Sequence, residues 1–245
     1  MNWVGTSGWF YHHWRGHLYP EDLKKAGFFA YYAERYSTVE INATFYRVPG
    51  ESMVKGWLEK APADFVFSVK GSRLITHIQR LQEPQDRLRF FFQRIEPMRE
   101  RLGAVLWQLP PSMQRDDDRL ARFLEALPQG YRHAVEFRHK SWLEAPVFEL
   151  LRGHKVAFCA ISLPKFPAVL VRTAPFIYVR FHGAEARYAD HYTQEELSAW
   201  GDKMEAELAP GVDAYCYFNN DIGGHAVRDA VSLREILKAR GLPAR

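Results

Sequence analysis

Eight short apolar runs recur along the chain, and most of what separates them has helical periodicity. The runs are WVGTS at 3–7, TVEIN at 38–42, FVFSVK at 65–70, AVLWQL at 104–109, HAVEFR at 133–138, VAFCAIS at 156–162, FIYVRFH at 176–182 and AYCYFN at 214–219. Each has strand length and is rich in β-branched or aromatic residues. Between them, Leu88, Phe91, Phe92, Ile95, Met98 and Leu102 keep helical spacing. Leu120, Phe123, Leu124 and Leu127 do the same behind an acidic first turn, Asp116 to Asp118. Thr193 and Glu196 form a capping box ahead of Leu197, Trp200, Met204 and Leu208. Ala226, Ala230, Leu233 and Leu237 mark a last helix, closed by Gly241 and Pro243. The prolines of LPKFPAVLVRTAP at 163–175 work against a helix, so the sixth helix is expected to be short or missing.

Strands alternating with about seven helices call for a parallel α/β sheet. Eight such units in about 250 residues match a TIM-barrel-like (β/α)8 barrel, here expected as a single domain over 1–245. An open doubly wound sheet is the alternative, but a GxGxxG loop after the first strand is absent. GTSG has neither the spacing nor the lysine of a phosphate loop.

The 245 residues, 47% hydrophobic and 25% charged, can bury a sizeable core without disulfides or metals. That balance excludes a disordered or collagen-like chain. No apolar run approaches the ~18–20 residues of a membrane span. The first residues, MNWVGTSGWFYHHWRG, lack the basic-then-apolar order of a signal peptide. Cys159 and Cys216 offer no disulfide framework, so a reducing, cytoplasmic setting away from membranes is expected. The net charge of +4 permits an anionic ligand without requiring nucleic acid.

Strand side chains alternate, and in a barrel one set faces the helices while the other faces the lumen. If Ile177, Val179 and Phe181 face the helices, then Tyr178, Arg180 and His182 point inward. The same logic turns Glu136 and Arg138, Glu40 and Asn42, and Ser68 and Lys70 inward, with Gln108 and Asn219 on the inner register of their strands. Ser162 is expected to end the sixth strand facing the mouth, and both cysteines are expected on the outward register. These polar residues mostly fall late in their strands, at the carboxyl-terminal rim where barrel enzymes place their sites. Two accounts of the charges stand open. Glu40 could pair with Lys70, and Glu136 with Arg180 or Arg138, as a neutral lattice. Alternatively, Lys70, Arg138 and Arg180 exceed the two carboxylates, and the surplus is balanced by an anionic ligand.

Several segments resemble the YecE-like family, family 72 of the domains of unknown function. They are GTSGWFYHHWRGHLYP, YYAERYSTVEINATFYRVP, FVFSVKGSRLITH, LGAVLWQLPPS, AVEFRHKSW, YVRFHG and YFNNDIGGHAVRDA, in that order and across essentially the whole chain. The resemblance implies a TIM-barrel-like fold and no established activity. It also implies rim residues Glu40, Asn42, Lys70, His77, Gln108, Glu136, Arg138, Arg180, His182, Asn219 and Asp221. Three positions depart from the family pattern: Ala43 where serine is common, Ser162 where aspartate often ends the sixth strand, and Asp229 where asparagine is common. By analogy, the family has been compared with barrel endonucleases of the endonuclease IV type.

NND at 219–221, with Gly223 and Gly224 leading into the last helix, reads as an anion site or as a helix cap made by Asp221. Trp9, Tyr11, Trp14, Phe45 and Tyr46 follow the first two strands, where aromatic rings can stack a base or sugar or simply pack over the barrel mouth. His77 could serve as a general acid or base, or sit on the surface. Lys70 could form a Schiff base, although a charged partner role toward Glu40 or the ligand is the simpler expectation. No cofactor is named by the sequence. A single divalent metal would draw on His77, Glu40, Glu136, His182 and Asp221, but Lys70, Arg138 and Arg180 oppose it in the same register. Three functions therefore fit the pattern. The favoured one is binding of a phosphorylated or anionic small molecule, with Glu40, Lys70, His77, Glu136 and His182 as catalytic groups of a hydrolase or lyase. Asn42, Tyr46, Gln108, Arg138, Arg180, Asn219 and Asp221 would then contact the ligand. The others are a nucleic-acid-binding or phosphodiester-cleaving barrel and a non-catalytic binding barrel.

Overall fold

The computed structural model describes residues 1–183 and 190–245. All eight runs are strands: β1 (Asn2–Ser7), β2 (Thr38–Ile41), β3 (Val66–Lys70), β4 (Leu102–Gln108), β5 (His133–Glu136), β6 (Ala157–Ser162), β7 (Phe176–Phe181) and β8 (Asp213–Phe218). Each pairs in parallel with its neighbour, and β8 returns to β1, which closes the barrel in sequence order. Helices α1 (Phe28–Ala33), α2 (Ala43–Tyr46), α3 (Glu51–Lys60), α4 (Gln85–Ile95), α5 (Asp117–Ala126), α6 (Ala145–Gly153), α7 (Gln194–Glu207) and α8 (His225–Ala239) lie between the strands and after the last. This is the expected TIM-barrel-like α/β fold. The 163–175 connection carries no helix, as its prolines lead one to expect.

Local capping signals account for the starts of α5 and α7. Asp116 accepts a bond from the Arg119 amide at 3.0 Å and caps α5. Thr193 and Glu196 make both halves of the capping box that starts α7. One helix is shorter than its periodicity suggests. The Leu88-to-Leu102 pattern holds only to Ile95; a 3-10 turn follows over Glu96–Arg101, and Leu102 opens β4. Pro97 explains the break, because it lacks the N–H that would bond to the turn before it.

Two apolar layers flank the sheet. Val39, Ile41, Phe67, Val69, Val135, Ile177 and Val179 pack toward the helices. Leu106, Ala134, Ala157, Cys159, Tyr178, Tyr215 and Tyr217 fill the lumen. Cys159 thus belongs to the inner register, contrary to the sequence expectation, and its Sγ lies 3.9 Å from Glu136 Oε2. Cys216 faces outward as expected, 3.9 Å from the Met204 sulfur. Ser162 is also corrected: it shares the outward register of Phe158 and Ala160 and is hydrogen-bonded to the Tyr192 hydroxyl, away from the mouth. Small residues at 157 and 159 suit a lumen crowded by Tyr178, Tyr215 and Tyr217, which sets the phase of β6.

The chain end shapes the mouth indirectly. Asn2 and Val4 donate to the carbonyls of Pro243 and Arg245 at 3.0 and 2.9 Å, so β1 meets β2 only through Thr6–Val39 and Ser7–Glu40. That register sets Ser7 beside Glu40.

Candidate active site at the barrel mouth

The floor of the mouth is a buried ion-pair lattice. Arg180, from β7, lies between the two carboxylates. Its Nη2 donates to Glu40 Oε1 at 2.8 Å, its Nε to the same oxygen at 3.2 Å, and its Nη1 to Glu136 Oε2 at 2.7 Å. Glu40 also accepts from Ser7 and Tyr178, each at 2.7 Å. Glu136 accepts from Gln108 Nε2 at 2.7 Å and from Arg138 Nε. Both carboxylates and Arg180 are buried. Burial alone would raise the Glu136 carboxyl, but the charges of Arg138 and Arg180, with His182 and Lys70, override it and hold the group well below the usual carboxylate range. Burial likewise opposes the charge on Arg180, and Glu40 and Glu136 outweigh it, keeping the guanidinium charged.

Two carboxylates and two arginines close this lattice at zero net charge, and the neutral alternative is right about Glu136. It is wrong about Glu40, whose partner is Arg180 rather than Lys70. Among the described residues no carboxylate lies within salt-bridge reach of Lys70. Its Nζ instead sits 4.2 Å from the centre of the Phe45 ring. Burial, with Arg180 next, pushes the Lys70 amine down to about 7. The backbone beneath it is tightly held. Thr44 Oγ1 lies 2.6 Å from the Lys70 carbonyl and 2.9 Å from that of Ile41, which ties α2 to the end of β3. Residue 71 must be glycine, because a Cβ there would fall 2.2 Å from the Trp107 ring.

Arg138 is the second group with unspent capacity. Its Nη2 donates to His182 Nε2 at 2.7 Å, and its Nη1 is buried without a partner. Because the guanidinium can only donate, His182 Nε2 must accept and its Nδ1 carries the proton. Asn219 Nδ2 lies 3.2 Å from Nδ1, and exchanging the amide's nitrogen and oxygen lets it accept that proton. Burial and the charges of Arg138 and Arg180 hold His182 well below the ordinary imidazole value, so the ring is neutral.

Above the lattice opens a cavity of about 570 Å³. Asn42, Tyr46, Lys70, His77, Gln108, Arg138, Arg180, Asn219 and Asp221 all line it, so nine of the sequence-predicted residues meet at one place. Glu40, Glu136 and His182 do not line it; they lie beneath, holding the arginines. Tyr11, Phe45, Arg73, Ile78 and Pro111 complete the wall. Of the early aromatics, Trp9 packs on Phe29 and Trp57, and Trp14 is buried, whereas Tyr46 stays 68% exposed at the entrance.

His77 sits on a five-residue π-helical turn, Leu74–Ile78, a feature that often marks functional sites. Its Nδ1 is 2.9 Å from Thr76 Oγ1 and its ring meets the Phe45 ring edge-on at 4.9 Å. Burial and Lys70 lower its pKa. The glycine turn after β8 is not an open anion cradle. Gly224 N–H bonds to Asp221 O, Ala226 N–H bonds to Asn220 O, and a Cβ at Gly224 would fall 2.6 Å from the His17 ring. Asp221 makes no side-chain cap bond; its carbonyl accepts from His13 and Trp14, and burial raises its carboxyl. No cluster of three or more His, Cys, Asp or Glu with metal-holding geometry occurs among the described residues. None of their helices is long and apolar enough to cross a membrane.

Sequence reasoning missed Arg73 and Ile78, at the two ends of that π-helical turn, and Pro111, on the loop after β4, all of which line the cavity. Ser7 was legible: alternation in WVGTS places it inward with Trp3.

Known proteins repeat the fold. The chain is similar over 97% of its length to the UPF0759 protein YunF of Bacillus subtilis strain 168, at 25% identity and covering 95% of that protein. A 109-residue stretch, 44% of this chain and 40% of that protein, is 34% identical to the UPF0759 protein YecE of Escherichia coli K12. A solved DUF72 family protein from Thermotoga maritima MSB8 superposes with a TM-score of 0.86 at 34% identity, covering 97% of this chain and 99% of that one. Another, from Enterococcus faecalis V583, has a TM-score of 0.84 at 19% identity, covering 97% and 96%. The family profile described as "Protein of unknown function DUF72" matches residues 3–244, and the chain belongs to that family.

Proposed function

We propose that the barrel mouth binds a small phosphorylated or otherwise anionic molecule, as a hydrolase or lyase would. Arg138 Nη1 and Lys70 supply the principal contacts, and Arg73 adds charge at the entrance. The observation that carries this reading is that two residues lining one cavity each hold a nitrogen without an anionic partner among the described residues: Arg138 Nη1, buried with no acceptor, and Lys70 Nζ, with no carboxylate in reach. An orphaned buried donor costs about 1–3 kcal/mol, and a phosphate or carboxylate oxygen would repair it. Glu40, Glu136 and His182 act in this reading as positioning residues, because each is buried below the cavity and already bonded to an arginine. Lys70 and His77, of the five groups expected to be catalytic, line the cavity and are able to carry proton or nucleophilic chemistry.

The test is thermal melting in inorganic phosphate, pyrophosphate and small dicarboxylates against chloride of matched ionic strength. Stabilisation that disappears in Arg138→Gln is expected. Identical shifts in both proteins, or none in either, would overturn the reading.

A second reading has one observation in its favour. The exposed Tyr46 ring, with the Arg73 guanidinium 5.8 Å from its centre, could stack a nucleobase whose phosphate reaches the cavity. Salt-sensitive gel shifts with single-stranded DNA or RNA, weakened in Tyr46→Ala, would support it; their absence at low salt would remove it.

A further inference from the structure

Arginines already furnish the mouth with anion contacts. Lys70 differs from them in kind: it is the cavity's primary amine, planted on a fixed backbone against an aromatic face, with both neighbouring carboxylates engaged elsewhere. An amine needed only as a charge would gain from a carboxylate partner or from solvent, and Lys70, 8% exposed, has neither. Burial disfavours the charged amine, and Glu40 and Glu136, which would favour it, are set against Arg180 and Arg138, which leaves the nitrogen lone pair available.

We propose that Lys70 forms an imine with a small aldehyde or ketone that bears a phosphate or carboxylate group. The inference rests on the anion reading above and names the chemistry of the same site. The anionic end meets Arg138 while the carbonyl carbon meets Nζ. The Nζ lone pair forms the C–N bond as the carbonyl π bond opens onto oxygen, and one amine proton moves to that oxygen. The resulting carbinolamine expels its hydroxyl with the second amine proton as water, leaving C=N. Both amine protons end on the departing water, so no oxidant, reductant or further reagent is consumed. His77, across the Phe45 edge and lining the same cavity, is placed to pass these protons. Its lowered pKa keeps the ring neutral near pH 7, and the Lys70 amine, near 7 itself, is substantially unprotonated there.

The test treats the intact protein with pyridoxal 5′-phosphate or with uncharged pyridoxal, followed by borohydride and peptide mapping. At pH 7 the expected result is reduction of the phosphorylated aldehyde onto Lys70 on the order of a hundredfold faster than onto exposed lysines. Far less reaction is expected with pyridoxal, and no adduct on the peptide that carries position 70 in Lys70→Arg. Equal labelling of Lys70 by both aldehydes supports the imine and overturns the anion reading. Labelling spread over surface lysines, in a protein whose melting still rises with phosphate, overturns the imine alone. Folding of Lys70→Arg is checked by the same melting curve.

Discussion

The Nη2 of Arg138 donates to the Nε2 of His182 at 2.7 Å, so a neutral ring braces one arm of the outer arginine while Glu136 pairs with its Nε. A second carboxylate there would tip the lattice negative, because Glu136 already pairs with this arginine. An imidazole fixes the guanidinium without neutralising it.

That arrangement makes stability sensitive to mild acid. Burial, first, and the adjacent arginines hold His182 well below 6.5; burial takes His133 down to about 4. Below pH 6.5 the unfolded chain therefore binds protons that the folded chain refuses, and stability falls as pH drops from 6.5 toward 4. Urea midpoints measured across this window should decline, and the slope should flatten in His133→Gln and His182→Gln. A flat wild-type profile would contradict the assignment.

Arg180 makes the opposite kind of prediction. Replacing it with Met leaves Glu40 without a cation and Glu136 with Arg138 alone, and Glu136→Gln leaves Arg138 without a carboxylate and Arg180 with Glu40 alone. Breaking a buried pair on one side typically costs about 3–5 kcal/mol. Chemical denaturation should show losses of that order in either variant. The double variant Glu136→Gln with Arg138→Gln should recover part of the loss, because the charge balance returns.

Lys70 should cost the fold stability. Its folded pKa lies near 7, below the 10.5 of an exposed lysine, so the ammonium is strained in the folded state. Lys70→Met keeps the aliphatic stem on Phe45 and should raise stability at pH 6 by about 2 kcal/mol, or roughly 4–8 °C. The advantage should shrink as pH rises from 7 toward 10.5, where the wild-type amine becomes neutral first in the folded protein. A destabilised variant at pH 6 would contradict this account of the site.

Gly71 tests the geometry from the backbone side. Gly71→Ala drives a methyl group into the Trp107 ring beside Lys70. A loss of about 1–3 kcal/mol is expected, together with weaker anion stabilisation, because the shift moves the end of β3.

Much of the mouth was legible because charged residues stand out in apolar strands. Glu40 in TVEI, Glu136 in HAVE and Arg180 in FIYVRF each break an otherwise hydrophobic face, and alternation alone sends them inward. β6 gave no such contrast: AFCAIS is small and apolar on both faces, so its phase depended on the tyrosines opposite. Pairing was hidden too. Alternation says that Glu40, Lys70 and Arg180 share the lumen, but only barrel closure brings Arg180 between the carboxylates and leaves Lys70 apart. Arg73 and Ile78 bound a single π-helical turn and Pro111 lies on a loop, where no repeated periodicity points a side chain. Glycines 223 and 224 resemble an anion cradle in sequence, yet His17, which packs on Gly224, comes from the far end of the chain.

The central claim is that the mouth holds an anion between Lys70 and Arg138. Anomalous diffraction from crystals soaked in tungstate, a tetrahedral oxyanion heavy enough to locate, tests it most directly. A peak in the cavity in contact with both residues, absent in Arg138→Gln, is the predicted result. Tungstate confined to the outer surface, with the mouth empty, would contradict it.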